Sequence, residues 1–491
     1  MGDVTAGMDD ESRADRARWA ALYVLCTGML MIVLDVTVVN VALPSIQDDL
    51  HFTSSGLAWV INAYLIAFAG LLLLSGRLGD LLGRRRVLLV GLAVFTVASL
   101  LCGASQDQTQ LVLARFLQGV GGALASAVIL GMIVTLFPEP AEQAKALGVY
   151  GFVASAGGAV GLLAGGVLTQ VLNWHWIFLV NVPIGVATAV LVKRLVPSDE
   201  GLGLKDGADV PGAVLITAAL MCAVYALVSP AAEKGIGDTE TLSLGGLAVL
   251  LLAGFVWRQA TAANPLMPLS LFTSRVTVGA NVVQLFTVAG MFGMFFLCTL
   301  YVQRVLGWDA LEIGVGFLPT TLIMGFMSLR VSDRVVARRG AQPVLLGGTV
   351  LATVGLALFV FSPVDGVYLL HVFPGMVLLG VGMGVAFPAL MAIAMSGVAP
   401  EDAGIASGLV GTTAEAGGAL GLAVLATLAN SRTRTLTGRG VDEPHALTSG
   451  YHLAFGVSAV LLGIAAVVCA TLLRSVDVRG HEPAELVEVA A

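Results

Sequence analysis

Apolar runs of about twenty residues alternate with short polar punctuation along the whole chain, and the pattern recurs fourteen times. A helix of roughly 20 residues rises about 30 Å, the thickness of a bilayer's hydrocarbon core. Numbered in chain order, the runs begin near Trp19, Leu57, Val87, Leu111, Ala146, Trp176, Pro211, Leu242, Val276, Ile313, Pro343, Tyr368, Gly404 and Tyr451. A count of twelve requires dismissing runs 7 and 8, at 211–229 and 242–258; both are apolar and bounded by polar residues, so the expectation is fourteen spans. The punctuation sets the orientation. With the N-terminus inside, all but six of the 25 lysines and arginines fall in cytoplasmic segments. The exceptions are Lys234, Arg304, Arg432, Arg434 and Arg439 outside, and Arg115 within run 4. Lys and Arg favour the cytoplasmic side, which predicts that both termini are cytoplasmic.

Composition agrees with this pattern. Only 12% of the residues are charged, against about 25% in soluble domains. The 60 glycines suit helices that pack closely in lipid. A net charge of −7 spread over loops and tails predicts no nucleic-acid partner. The five cysteines sit inside apolar runs without C-x-x-C spacing, so neither a disulfide framework nor a metal site is expected. No phosphate loop or nucleophile elbow is present, which excludes an ATP-driven pump on one chain and gives no sign of an enzyme or a cofactor. Run 1, Trp19 to Leu43, is too long for a cleaved signal peptide and lacks a small-residue cleavage motif.

An internal repeat organises the spans. Residues 146–162, ALGVYGFVASAGGAVGL, and 406–422, ASGLVGTTAEAGGALGL, are identical at ten of seventeen positions. The same register places Pro140 on Pro400. A weaker match sets Asp333 on Asp80, and Arg338 and Arg339 on Arg85 and Arg86. The expected architecture is all-α. A tail, 1–18, precedes a six-helix bundle, 19–195; a linker with two inserted helices, 196–275, leads to a second six-helix bundle, 276–474, and a tail, 475–491. Parallel repeats rocking about a midplane site are a transporter plan.

Five stretches carry candidate chemistry. Between runs 2 and 3 lies GRLGDLLGRRR, with Gly76, Asp80, Gly83, Arg84, Arg85 and Arg86. Run 1 holds LDVTVVNVALP, in which Asp35 lies roughly 13 Å below the outer end, a depth at which an acid is expensive unless it has a role or a partner. Run 4 holds RFLQGVGGA, with Arg115 in the same half of the membrane, where a guanidinium favours an ionised carboxylate. Run 5 presents Gly157, Gly161, Gly165 and Gly166 as a close-packing stripe. Run 6 opens with NWHWIFLVNVPIG, whose Trp174 and Trp176 suit an outer aromatic belt.

These strings resemble the motifs of the fourteen-span drug:proton antiporters of the major facilitator superfamily. The loop resembles that superfamily's G-x-L-(A/G)-D-x-x-G-R-(R/K)-(R/K) signature, and run 1 resembles L-D-x-T-(I/V)-V-N-V-A-L-P. Run 4 resembles R-x-x-Q-G-x-G, and run 6 resembles W-x-W-I-F-x-(I/V)-N-(V/L)-P-(I/V)-G. Run 5 resembles G-P-x-x-G-G, a motif implicated in the interface between the halves, but has Leu162 in place of the proline. The resemblance implies efflux of amphiphilic organic compounds by alternating access, driven by a proton gradient without a cofactor, from a multi-pass protein of the cell membrane that works as a monomer. Under it, Asp35, Arg115 and Glu415 would couple protons, Glu415 being a midplane acid whose repeat partner is Ser155. The loop residues would switch conformation. Asn62, Gln118, Gln284, Met291 and Phe295 are candidates for a substrate cavity. A proton-coupled importer and a transport-dead membrane sensor or scaffold are the alternatives.

Overall fold

The computed structural model describes residues 2–53, 56–199, 201, 203, 207–228, 237–267, 269–396 and 403–474. The expected tail 475–491 lies outside them. Among the described residues there is no strand, and fourteen long helices follow one another. They are α1 (Gly2–Asp49), α2 (Trp59–Leu82), α3 (Arg84–Gly103), α4 (Gln108–Leu136), α5 (Pro140–Val171) and α6 (Trp176–Leu195). Next come α7 (Val210–Ala226), α8 (Thr239–Thr261), α9 (Arg275–Arg304) and α10 (Ala310–Arg339). The last are α11 (Ala341–Phe359), α12 (Tyr368–Met395), α13 (Ala403–Thr437) and α14 (Glu443–Leu472).

Twelve membrane-length apolar spans are present among the described residues. Two helices fall outside that number: α7, whose 17 residues rise only about 26 Å, and α5, through its shorter apolar segment Val160–Val171. Run 8, one of the two runs in question, is a full-length span as α8. The N-terminal 1–18 segment, expected as a tail, continues α1 as helix from Gly2.

Helix starts follow local chemistry. Asp107, Asp209, Asp238 and Asp442 accept backbone N–H groups at the starts of α4, α7, α8 and α14, and Asp309 forms a capping box with Glu312 on α10.

Helix packing repeats between the two halves. α5 lies on α1 as α13 lies on α9, and α2 and α3 flank α4 as α10 and α11 flank α12. Glycines at matched repeat positions make matched contacts. Gly157 and Gly161 meet Leu30, Val33 and Thr37 of α1; Gly417 and Gly421 meet Leu285 and Ala289 of α9. The run 5 stripe therefore serves mostly within one bundle, with Gly165 also against Val38 of α1. Only Gly166 of the four turns to the other bundle, against Ala310 and Leu311 of α10. Among the described residues that α5/α10 seam is one of the two most extensive between the bundles; the other joins α2 to α13, where Leu65 lies against Gly418 and Leu72 against Gly411.

The inserted pair α7–α8 packs over the second seam. Thr217 of α7 fits against Gly70 of α2, where any Cβ would collide, and Tyr225 lies 6.2 Å from Trp59. Thr427 of α13 donates to the Leu227 carbonyl at 2.8 Å. A separate apolar cluster of Leu74, Ala213, Phe255, Leu266, Met267 and Leu409 joins α2, both inserted helices, the segment that follows and α13. Asp209 fastens the base, accepting from Arg258 and Gln259 at 2.9 Å each.

The charged loop between runs 2 and 3 contracts to one residue. Helix continues to Leu82 and resumes at Arg84, and Gly83 makes the break with φ +93°, a conformation that favours glycine. Gly340, φ +84°, makes the equivalent break between α10 and α11. This corrects the register expected for the weaker repeat: Arg338 and Arg339 precede their glycine, whereas Arg84, Arg85 and Arg86 follow theirs. A π-helical turn at Met327–Ser332 lies just ahead of Asp333 in α10.

Asp199, from the segment after α6, caps α3 by accepting the amides of Arg84 and Arg85 at 2.6 and 3.0 Å. Burial works against its ionisation, but those amides and the Arg84 charge outweigh it and hold the carboxyl below its ordinary value. A carboxylate with a depressed pKa contributes fully above the ordinary range of about 3.9, and the contribution is lost as pH falls through the lowered value. Asp199→Ala is thus expected to cost about 1 kcal/mol of stability in detergent, equally at about pH 6 and pH 8. A thermal-melt difference that widens between those pH values would contradict the cap.

Candidate functional site

Asp35, on α1, is 1% exposed and fully partnered. Its Oδ2 accepts from Arg115 Nη1 at 2.6 Å, and its Oδ1 accepts from Gln118 Nε2 at 2.6 Å and from Asn181 Nδ2 at 2.8 Å. Arg115, equally buried on α4, also donates from Nε to the Val60 carbonyl at 2.9 Å and from Nη1 to Gln118 Oε1 at 2.6 Å. Its guanidinium lies 4.5 Å from the Tyr64 ring centroid and 5.6 Å from that of Phe178. Gln118 Nε2 donates further to Ser99 Oγ on α3 at 2.9 Å.

The network closes for physical reasons. A charge deep in a bundle needs a counter-charge and hydrogen bonds for its remaining atoms, and here five helices contribute. Helix α6 contributes through a local irregularity: it is interrupted at Val180, between segments Trp176–Leu179 and Asn181–Leu195. Pro183, which lacks an N–H, stands just after the break, and Asn181 opens the second segment with its amide on Asp35. Protonating Asp35 would remove the anion that Arg115 faces and weaken the donors from α4 and α6 together. Its charge is therefore tied to the relative placement of helices.

The structure brings Asp35, Arg115 and Gln118 together. Gln118, expected to line a cavity, is instead locked inside this network. Asn62 on α2 is fully buried, and both its amide atoms lack a hydrogen-bond partner. Gln284 and Met291 of α9 are buried, and Phe295 packs 5.6 Å from Phe317 of α10. Glu415, on α13, is half-buried; its repeat counterpart Ser155 has a side chain outside the described residues. Trp174 departs from the aromatic-belt expectation. It is buried and donates from Nε1 to Asp49 at 2.9 Å, while Trp176 stands exposed.

At the signature loop, Arg84 pairs with Asp80 at 3.1 Å and reaches the Gly131 carbonyl and Thr135 Oγ1 of α4 at 3.0 and 2.9 Å. Arg85 donates to the Lys193 carbonyl at the end of α6. At the opposite end of the molecule, polar contacts cross between the bundles. Arg304 of α9 engages Asp48 and Gln47 of α1, and Gln170 of α5 donates to Asp309 at the start of α10. A cavity of about 330 Å³ beside Arg304 is lined by Asp48, His51, Glu443 and Tyr451. Among the described residues no cluster of three or more His, Cys, Asp or Glu is placed to hold a metal.

Asn181, Ser99 and Tyr64 join the site without having been singled out from sequence. An amide or hydroxyl inside an apolar run is the signal available for Asn181 and Ser99, and Tyr64 gives none.

Long apolar helices gathered in two bundles, with a charged network sealed among them, describe a multi-pass membrane transporter. The chain belongs to the Major Facilitator Superfamily, whose family model matches residues 25–422. It is 39% identical over 467 residues to the puromycin resistance protein pur8 of Streptomyces alboniger, covering 94% of this chain and 92% of that one. It is also 39% identical over 449 residues to the cephamycin export protein CmcT of Amycolatopsis lactamdurans, covering 91% and 90%. The fold is similar to that of a bacterial homologue of the human lysosomal transporter Spinster, with a TM-score of 0.65 and 15% identity over 93% of this chain and 97% of that one. A bacterial homologue of the human drug peptide transporters PepT1 and PepT2 gives a TM-score of 0.63, again at 15% identity, over 93% and 98%. The chain is a transporter of the cell membrane and not an enzyme.

Proposed function

We propose that this transporter exports amphiphilic organic compounds in exchange for protons, with both termini cytoplasmic and the two bundles alternating access to a site between them. One observation carries the reading: an ionisable pair, Asp35 and Arg115, held almost wholly out of solvent among membrane helices. Such a pair is costly to keep and is a default sign of ion or proton handling in a membrane protein. The direction is supported by the names of relatives, which concern resistance to and export of antibiotics. The inter-bundle contacts of Arg304 and Gln170, at the end remote from the termini, suit a state closed to the outside. Asp80 and Arg84 would govern the change of state at the other end. Substrate, lipid and the proton gradient are the partners in this reading, and one chain suffices.

The test uses puromycin and lincomycin as probes in a sensitive strain and in inverted vesicles with an acid interior. Expression is expected to raise the inhibitory concentration of at least one probe, and vesicles to accumulate it until a protonophore dissipates the gradient. Accumulation unaffected by the protonophore would overturn proton coupling. Unchanged thresholds together with probe uptake into intact cells would overturn export in favour of import.

A further inference from the structure

The second segment of α6, Asn181–Leu195, touches the buried network at one end and the signature loop at the other. At its first residue, Asn181 Nδ2 donates to Asp35 at 2.8 Å. In its last turn, the Lys193 carbonyl accepts from Arg85. The chain that leaves the segment then wraps the loop. Asp199 accepts the Arg84 and Arg85 amides at 2.6 and 3.0 Å, the Gly203 amide donates to the Leu81 carbonyl at 3.0 Å, and Gly201 fits against the Leu81 and Gly83 backbone, where a Cβ would collide. Between its ends the segment is seated on its neighbours: Gly185 admits Thr96 of α3 where any Cβ would clash, and Thr188 lies against Gly28 of α1. Upstream it is weakly joined. Pro183 has no N–H to offer the Leu179 carbonyl, so the helix lacks a bond across the break at Val180.

The three donors on Asp35 are unequally tied. Arg115 also bonds the Val60 carbonyl and Gln118 also bonds Ser99, whereas the Asn181 amide makes no other hydrogen bond among the described residues. A hydrogen bond to an ionised group is about twice as strong as a neutral one. When Asp35 takes up a proton, α4 keeps its other ties and α6 loses much of its only one. The ionisable side chains about Asp35 among the described residues are Arg115 of α4 and, behind it, Tyr64 of α2 and Cys102 of α3; α6 meets it with a neutral amide.

We propose that the segment Asn181–Leu195 is a lever that carries the protonation of Asp35 to the signature loop, with Asn181 as its positioning residue. The inference rests on the proton-coupled reading above. With Asp35 ionised, Asn181 fixes the near end, and Lys193 and Asp199 hold the start of α3. With Asp35 neutral, the segment tilts about the tight Gly185–Thr96 contact, the break at Val180 absorbing the motion. That contact lies four residues from Asn181 and eight from Lys193, so the far end moves about twice as far as the near end. Lys193 and Asp199 then draw away from Arg85 and Arg84, and the loop is released.

The test is amide hydrogen exchange of the full chain in lipid nanodiscs at one fixed pH, read by mass spectrometry with fragmentation that isolates Arg84 and Arg85. The first amides of a helix have no intrahelical acceptor, so protection of these two reports the Asp199 cap. Asp35→Asn supplies a neutral side chain of the same shape. Asn181→Leu, or Asn181→Ala where that does not assemble, removes the amide and leaves both charges in place. Each is expected to speed exchange at Arg84 and Arg85 about fivefold, the effect of losing one cap, with α9 and α14 unchanged. Combined, the two are expected to give no more than either alone. The pair Asp35→Asn, Arg115→Gln, which leaves no stranded charge, is expected to act as Asp35→Asn does. Unchanged exchange in the Asn181 variant, an Asp35→Asn effect that persists in full on top of it, or acceleration spread equally over α9 and α14 each overturns the proposal. The measurement uses neither substrate nor gradient. Failed proton-driven export in the parent therefore overturns the proposed function and leaves a response at Arg84 and Arg85 standing, whereas no response with export intact overturns the lever alone.

Discussion

Asp35→Asn is expected to abolish pH-gradient-driven accumulation in vesicles while the protein still reaches the membrane. The same change strands Arg115, whose nearest remaining partners are the Val60 carbonyl, the Gln118 amide and the Tyr64 and Phe178 rings. Removing one partner of a buried ion pair costs about 3–5 kcal/mol, because the other charge is left uncompensated. Arg115→Ala is expected to cost at least as much, since it strands Asp35 with two amide donors and empties the space beneath Tyr64. The double variant Asp35→Asn, Arg115→Gln removes both charges and is expected to regain most of the stability without regaining transport. Thermal melts in detergent measure the first quantity and vesicle accumulation the second. A double variant as unstable as the sum of the singles would contradict the pairing, and full accumulation by Asp35→Asn would contradict the assignment of Asp35 to proton coupling.

Gly421→Leu is expected to prevent assembly of a monodisperse protein, whereas Gly158→Leu is expected to be tolerated. At Gly421, a Cβ would lie 2.4 Å from the Ala289 Cα and 2.6 Å from its carbonyl oxygen. Backbone cannot step aside as a flexible side chain can, so the cost exceeds the usual 1–3 kcal/mol of overpacking. At Gly158 nothing lies within 4 Å of the added atom. Fluorescence-detected size exclusion separates the outcomes, and equal profiles for the two variants would show that α13 does not depend on close approach to α9.

The helices were legible in the sequence because hydrocarbon imposes one requirement on every span, a continuous apolar stretch with its backbone bonds satisfied within it. Asp35 and Arg115 were legible for the converse reason, since a charge inside such a stretch stands out. Their mutual contact was inferred from depth alone, and the structure places them 2.6 Å apart. Asn181 was harder to find. Its string stands out for its tryptophans and its resemblance to an antiporter motif, and only the break at Val180 shows that the amide is delivered to Asp35. Gln118 is a cavity candidate by sequence, yet four polar neighbours already occupy it. The register of the weaker repeat failed because aligned charges were compared without the glycine whose positive φ fixes the turn. Asp199 had no sequence signal at all; its partner amides lie more than a hundred residues away.

The inserted helices give the molecule a front and a back toward its lipid. Two bundles related by a repeat would otherwise offer the acyl chains two similar clefts, one at α5/α10 and one at α2/α13. Over the second lies a wall of α7 and α8, whose outer face turns Leu242, Val249, Leu250 and Trp257 to the hydrocarbon. A compound dissolved in the leaflet therefore meets the bare seam from one direction and a shutter from the other. The wall is also fastened unevenly, lodged on α2 through Gly70 and touching α13 through fewer groups. If the bundles rock as proposed, the cover is expected to travel with α2, on which it packs more extensively, while α13 slides beneath it.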